Sequence, residues 1–231
     1  MVRKSSIPAV VALTCLVALP TLARKGKTDF AEVTKQMNDR AKDLHSVSAN
    51  LEYTKVTVLV DDKSIETGQL FYQRNKGKNV DIRIDIDKPD TKVILVGKNR
   101  ARIYLPKINQ VQEYDLAQKS DLVQQFLLLG FGSEMNDLKK SYNVKYLKEE
   151  TLEGDTTAVL ELTPRKESLA AQLTKIELWI SEDSWLPVQQ KFYEGGGDYL
   201  IARYTGMKVN RNLPRGAFDL HDSGAKHVKM N

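Results

Sequence analysis

Apolar positions along the chain recur at two spacings. Phe30, Val33, Met37, Ala41 and Leu44 repeat at helical spacing, with Asp29 and Glu32 placed as a capping box at the start. This predicts a helix over Phe30–Leu44 with one apolar stripe, which must cover something. The period then becomes two. Val47, Ala49, Leu51 and Tyr53 alternate with polar residues, and Val56, Val58 and Val60 continue with shifted parity, which predicts a bulge near Thr54-Lys55. Asp61-Asp62-Lys63 reads as a turn and Ile65–Arg74 as the next strand. Val80, Ile82, Ile84 and Ile86 alternate strictly with Asp81, Arg83, Asp85 and Asp87, so one face is expected buried and the other wet.

Three short strands follow over Thr91–Gly97, Arg100–Leu105 and Gln110–Leu116. The pattern then breaks: Ser120 and Asp121 open a helical stretch that stops at Gly130, and Phe126–Leu129 is apolar on all sides. A weak amphipathic turn carries Met135 and Leu138. Strands resume over Val144–Thr151, Thr156–Thr163, Leu173–Ser181, Leu186–Tyr193 and Tyr199–Val209. The class is mainly β with α (α+β): about eleven antiparallel strands, a helix in front and a helical insert midway. Such regular spacing fits a meander, a sandwich or a barrel.

The first residues change the picture of where this domain works. Arg3 and Lys4 precede an uncharged apolar run, Ile7 to Leu19, and Thr21-Leu22-Ala23 offers a small-x-small cleavage site. Residues 1–23 are therefore read as a cleaved export signal and 24–231 as one domain. The run is short for a membrane span, which takes roughly 20 residues. Cys15 lies inside it, so lipidation there is not expected. Cleavage leaves 33 Lys+Arg against 30 Asp+Glu and no cysteine, so the domain must hold by packing alone. The periplasm is the expected compartment.

Composition adds mainly exclusions. With 41% apolar and 28% charged residues the chain can bury a sizeable core, and its basic excess of +5 is scattered rather than blocked as nucleic-acid binding requires. His45, His221 and His227 show no metal-ligand spacing, and His221 and His227 fall in an expected tail. Gly130-Phe131-Gly132-Ser133 lacks the Gly-x-Ser-x-Gly order of a nucleophile elbow. Gly195-Gly196-Gly197 lies between strands, as a hairpin loop does. Asp81, Asp85 and Asp87 fit a solvated strand face. No catalytic, metal or cofactor site emerges, and an enzyme is not expected. What stands out is apolar surface: a helix stripe, the Phe126–Phe131 block, and Tyr53, Phe71 and Tyr72. A curved sheet under amphipathic helices would enclose an apolar cavity; a filled core under two helices would use the same residues.

The order of motifs resembles a known family. Gly68-Gln-Leu-Phe71-Tyr72-Gln-Arg74 is followed by the alternating strand, then Lys92–Pro106, then Gln110-Val111, then the Phe126–Gly130 insert, with Ala217-Phe218-Asp219-Leu220 and Gly224 near the end. This resembles the outer-membrane lipoprotein carrier (LolA) family over most of the chain from Phe30 onward. The resemblance implies an incomplete, strongly curved antiparallel β-barrel with helices as a lid over an apolar cavity. It implies a monomeric periplasmic carrier of lipoprotein acyl chains. Cargo would come from an inner-membrane ABC lipoprotein-release complex and pass to an outer-membrane receptor. An envelope-stress sensor or another lipid-binding relative on the same half-barrel is the alternative. Leu51, Tyr53, Leu70, Tyr72, Ile82, Ile84, Leu122, Phe126, Leu127 and Phe131 are then the expected cavity and lid residues. Arg74 is the expected lid-closing basic residue, although Asn75 stands where that family has a proline.

The export reading has a direct check. Intact-mass measurement of the exported protein should give a chain lacking Met1–Ala23 and carrying no lipid; retention of Met1 would refute it.

Overall fold

The computed structural model describes residues 28–75, 79–116 and 129–230. The export signal and Leu122, Phe126 and Leu127 lie outside these residues. One unclosed sheet runs β12-β6-β5-β4-β3-β2-β1-β11-β10-β9-β8-β7. Its first half is β1 (Ser46–Thr57), β2 (Asp62–Arg74), β3 (Val80–Lys88), β4 (Lys92–Gly97), β5 (Arg100–Leu105) and β6 (Gln110–Asp115). Its second half is β7 (Tyr142–Leu152), β8 (Asp155–Pro164), β9 (Leu173–Ser181), β10 (Pro187–Glu194), β11 (Tyr199–Val209) and β12 (Lys226–Met230). The join is β1 against β11, so the first and last long strands meet mid-sheet and bring the two halves side by side.

Helix α1 (Phe30–Asp43) begins where Asp29 accepts a hydrogen bond from Glu32 N at 2.8 Å. The return half of the capping box is absent, because Glu32 instead accepts from Gln36 Nε2 at 2.7 Å. Its stripe divides between two cores. Val33 and Met37 pack with α2 (Met135–Ser141) and the inner faces of β7–β10; Leu44, just past the end of α1, joins the core over β1–β5. Asn38 accepts from Met135 N at 2.8 Å, so one helix caps the other. A short α3 (Glu167–Ala170) links β8 to β9. Among the described residues no helix is long and apolar enough to cross a membrane.

The sheet departs from expectation in three places, each with a local cause. First, β1 and β2 pair without a break from Ser46↔Gln73 to Thr57↔Asp62, so there is no bulge at Thr54-Lys55. The irregularity lies between Ser48 and Asn50, against β11. The parity change arises because the strand ends: Val58–Val60 form a 3₁₀ turn closed by Asp61 in the left-handed region (φ 49°), and all three valine and leucine side chains are exposed. Second, the outer face of β3 is not wet. Ile82, Ile84 and Ile86 are buried inward as expected. On the other side, Arg83 donates to the Asp219 carbonyl at 2.8 Å and pairs with Asp85 at 2.7 Å, under the segment that follows β11. Third, that segment does not end as a tail. It adds β12 parallel to β6, with His227 between Glu113 (2.8 Å) and Asp222 (3.2 Å). Five residues without an apolar stripe give no strand signal of their own.

Gly68 explains the first glycine of the Gly-x-Leu-aromatic motif. It sits at the register shift between β2 and β3, and a Cβ there would lie 1.8 Å from the Asp85 carbonyl oxygen. Backbone approaches backbone, so no rotamer can relieve the clash. Gly68→Ala should lower unfolding free energy by about 1–3 kcal/mol. Gly195→Ala, where a Cβ meets open space, should change it by less than about 0.5 kcal/mol. Denaturant titration measures both.

Candidate functional site

Inward positions of several strands converge on the concave face. Alternation along β1 turns Val47, Ala49 and Leu51 inward, and Tyr53 packs against the same cluster. The equivalent positions on β2 and β3 are Leu70, Tyr72, Ile82, Ile84 and Ile86. Between them and β10–β11 lies a cavity of about 270 Å³. Leu51, Tyr53, Ile84, Ile86, Ile94, Phe192, Ala202 and Tyr204 line it, with Glu66, Lys92 and Gln190 as its polar members.

The sequence-predicted residues therefore separate into two groups. Leu51, Tyr53 and Ile84 line the cavity. Leu70, Tyr72, Ile82 and Phe131 belong to the same apolar cluster but are packed against neighbours, each at most 3% exposed. Phe131 meets Tyr204 edge-on, ring centroids 4.9 Å apart. The wall formed by β10 and β11 is the part that sequence reading passed over. The available signal was Gln190-x-Phe192 and Ala202-x-Tyr204, alternating pairs on strands already predicted.

Electrostatics sort the polar members into a deep set and a rim set. Gln190 is fully buried; its amide donates to the Leu129 carbonyl and its Oε1 accepts from the Tyr204 hydroxyl at 3.0 Å. Burial is the first cause that raises the Tyr204 phenol, followed by Tyr53 beside it. Burial likewise pushes Tyr53 up to about 12, with Glu194 and Glu66 adding to it. Both phenols are therefore neutral donors at physiological pH. At the rim Lys92 pairs with both Glu66 oxygens at 2.7 and 2.9 Å, each side chain a little over a quarter exposed. The site thus offers a mainly apolar volume, one satisfied polar cluster inside, and one ion pair at the rim. Among the described residues its lining pairs no nucleophile with a base.

Arg74 lies at the opposite end of β2 and joins three segments. Its backbone N–H donates to His45 O at 2.8 Å, Nη1 to Ala41 O at 2.6 Å in the last turn of α1, and Nη2 to Gly132 O at 3.3 Å. Gly132 has φ 64°, and a Cβ on it would come within 2.6 Å of Arg74 Nη2 and 3.0 Å of the Tyr72 hydroxyl. Only glycine lets the guanidinium reach this carbonyl. Residues 129–132, the end of the predicted insert and the two residues after it, are thus held at one end by Gln190 and at the other by Arg74.

Known proteins share parts of this sequence and of this fold. The model of a family described as "Uncharacterized protein" matches residues 85–213, more than half of the chain. The chain belongs to that family. It is also 22% identical over 187 residues to Uncharacterized protein MJ0687 of Methanocaldococcus jannaschii, covering 81% of this chain and 50% of the relative. The chain thus spans about half the length of that curated relative. Among solved structures, an uncharacterized conserved protein from Thermus thermophilus superposes with a TM-score of 0.55 at 13% identity, covering 85% of this chain and 98% of that one. MucB of Pseudomonas aeruginosa, in its complex with MucA, gives a TM-score of 0.51 at 15% identity, covering 82% of this chain and 61% of that one. A LolA superfamily protein from Nitrosomonas europaea gives 0.39 at 16% identity, covering 80% and 96%. The fold is the open, curved half-barrel that the LolA-like motif order implies.

Gln190→Leu tests the inner cluster. Two buried hydrogen bonds disappear, at a cost of about 1–3 kcal/mol for each group left unpaired. Amide exchange at residues 129–132 should accelerate and the denaturation midpoint should fall; unchanged exchange would refute the tether.

Proposed function

We propose that this protein is an extracytoplasmic carrier that binds acyl chains in the concave cavity, without catalysing a reaction on them. The observation that carries the reading is the cavity itself, walled by apolar side chains from β1, β3, β4, β10 and β11; the export signal read from residues 1–23 supports it. Each methylene buried there gains about 0.8 kcal/mol, so even part of one chain binds usefully. A single internal polar cluster, already satisfied, leaves little to recognise in a polar ligand. The motif order resembling the lipoprotein-carrier family supports lipoproteins as cargo. In that role the partners are an inner-membrane ABC lipoprotein-release complex and an outer-membrane receptor, and the site of action is the periplasm.

Arg74 acts in this scheme as the latch. It holds α1 and Gly132 against the far end of β2, so acyl chains that reach past the cavity along β2 must work against those bonds. That opposition is what allows delivery: an occupied, strained form releases its ligand more readily than a relaxed one. A sensor of envelope stress is the second reading, supported by the likeness to MucB in complex with MucA. In that role cargo binding would change affinity for a protein partner instead of delivering cargo.

Binding of a fluorescent acylated lipopeptide separates these from an empty core. The native chain should bind it. Ala202→Phe, which fills the cavity, should weaken binding roughly tenfold or more while leaving the fold intact. Equal binding by the variant, or none by the native chain, would refute the cavity as the site. Arg74→Leu should load cargo and hand it over slowly to acceptor membranes, since each lost charged hydrogen bond shifts the open–closed balance by about 1.5–3 kcal/mol. Unchanged transfer kinetics would remove the latch.

A further inference from the structure

The strand registers place several turns at one end of the half-barrel. The end of β1 pairs with the start of β2 (Thr57↔Asp62), and Lys55 lies opposite Leu200 at the start of β11. Ile86 lies opposite Lys92, and Val93 opposite Tyr104, so the β5–β6 turn is at this end too. Among the described residues the strongly exposed aliphatic side chains gather here: Leu59 at 92%, Val60 at 68%, Ile108 at 62% and Val58 at 51%. Those elsewhere, Leu147 and Met230, are less exposed and lie on the two outermost strands. Such residues at turn tips are not the singly scattered surface leucines that need no explanation.

The β1–β2 tip is also built to stay in place. Val58 N donates to Asp198 Oδ1 at 2.9 Å, tying the tip to the β10–β11 turn. Below it, Lys191 Nζ sits 4.5 Å from the Tyr193 ring and 4.0 Å from the Tyr199 ring. An apolar point with two tyrosines and a lysine beneath it on β10 and β11 matches the gradient from hydrocarbon to headgroup on that side.

We infer that the Val58–Leu59–Val60 tip, with Ile108 exposed at the same end of the sheet, inserts into the surface of a lipid bilayer. A protein partner is the less suited occupant. A stable protein interface takes about 800 Å² from each side, whereas a convex three-residue knob offers far less and needs a medium that closes around it. The surrounding charges are mixed, with Lys55, Lys63, Lys107 and Lys191 among Asp61, Asp62, Asp90, Glu194 and Asp198. Attachment is therefore through the apolar tip and extends to zwitterionic lipid. The cavity rim, Glu66 and Lys92, opens on this same end, and Tyr53 precedes Val58 by five residues, roughly 17 Å of strand. Docking would turn the rim toward the bilayer, where acylated cargo resides.

Flotation of the protein with phosphatidylcholine vesicles, with and without phosphatidylglycerol, tests this in the absence of cargo. Its outcome is thus independent of whether the cavity carries acyl chains. The native chain should float with phosphatidylcholine alone, and added salt should change little. Combining Val58→Ser, Leu59→Ser and Val60→Ser should weaken partitioning roughly tenfold or more, with Leu59→Ser alone giving part of the loss. Leu147→Ser should leave it unchanged. All share one N-terminus, so the differences isolate the tip, and thermal melting verifies that each variant is folded. Absence of flotation, flotation unaffected by the tip substitutions, or flotation that requires phosphatidylglycerol and is lost in salt would overturn the inference. Tip-dependent capture of a protein without vesicle binding would overturn it as well.

Discussion

An unclosed sheet has a concave apolar face that something must cover, and most of this molecule follows from how that cover is attached. The inner positions of β1–β3 are as hydrophobic as those of an ordinary core, yet among the described residues no second sheet packs on them. The cover is supplied over β1–β5 by Leu44 and the segment around Phe131, and over β7–β10 by α1 and α2. It is tied down by polar contacts at a few points: Arg74 at Ala41 and Gly132, Gln190 at Leu129, and Asn38 at Met135. Polar ties hold geometry but contribute modest net stability, because they replace bonds to water. Apolar packing elsewhere carries the fold, and the β7–β10 core under α1 is filled in a way the β1–β4 side is not.

This division places the cavity. On the β8–β9 side large residues such as Leu160, Leu162, Ile176 and Leu178 are at most 1% exposed. Across the β1–β11 join, small Ala202 faces Tyr53 and leaves room between flanking isoleucines.

Much of the backbone was legible from residue spacing because burial is one-sided. The Val80–Ile86 alternation and the Asp29 cap needed no tertiary information. Contacts at long range were not legible. The outer face of β3 looked solvated because Arg83 and Asp85 are polar, but polar residues also serve as anchors for a passing chain, here the carbonyls near Asp219. Val58 and Val60 looked like strand residues because valine favours strands; the left-handed Asp61 ended the strand first. The β10–β11 wall of the cavity was missed for another reason. Gln190 reads as a surface residue unless its partners Leu129 and Tyr204 are known.

The parallel β12 has a bearing on solubility. Open sheets invite other chains to add at their edges. Here one outer strand presents Lys226, His227 and Lys229, and the other presents Lys145 and Lys148 around a register shift at Tyr146/Lys148. The second edge also carries Glu149 and Glu150, so joining the two edges of neighbouring copies would bury charged side chains along a kinked ladder. Growth of the half-barrel into an endless ribbon is thereby discouraged at both ends.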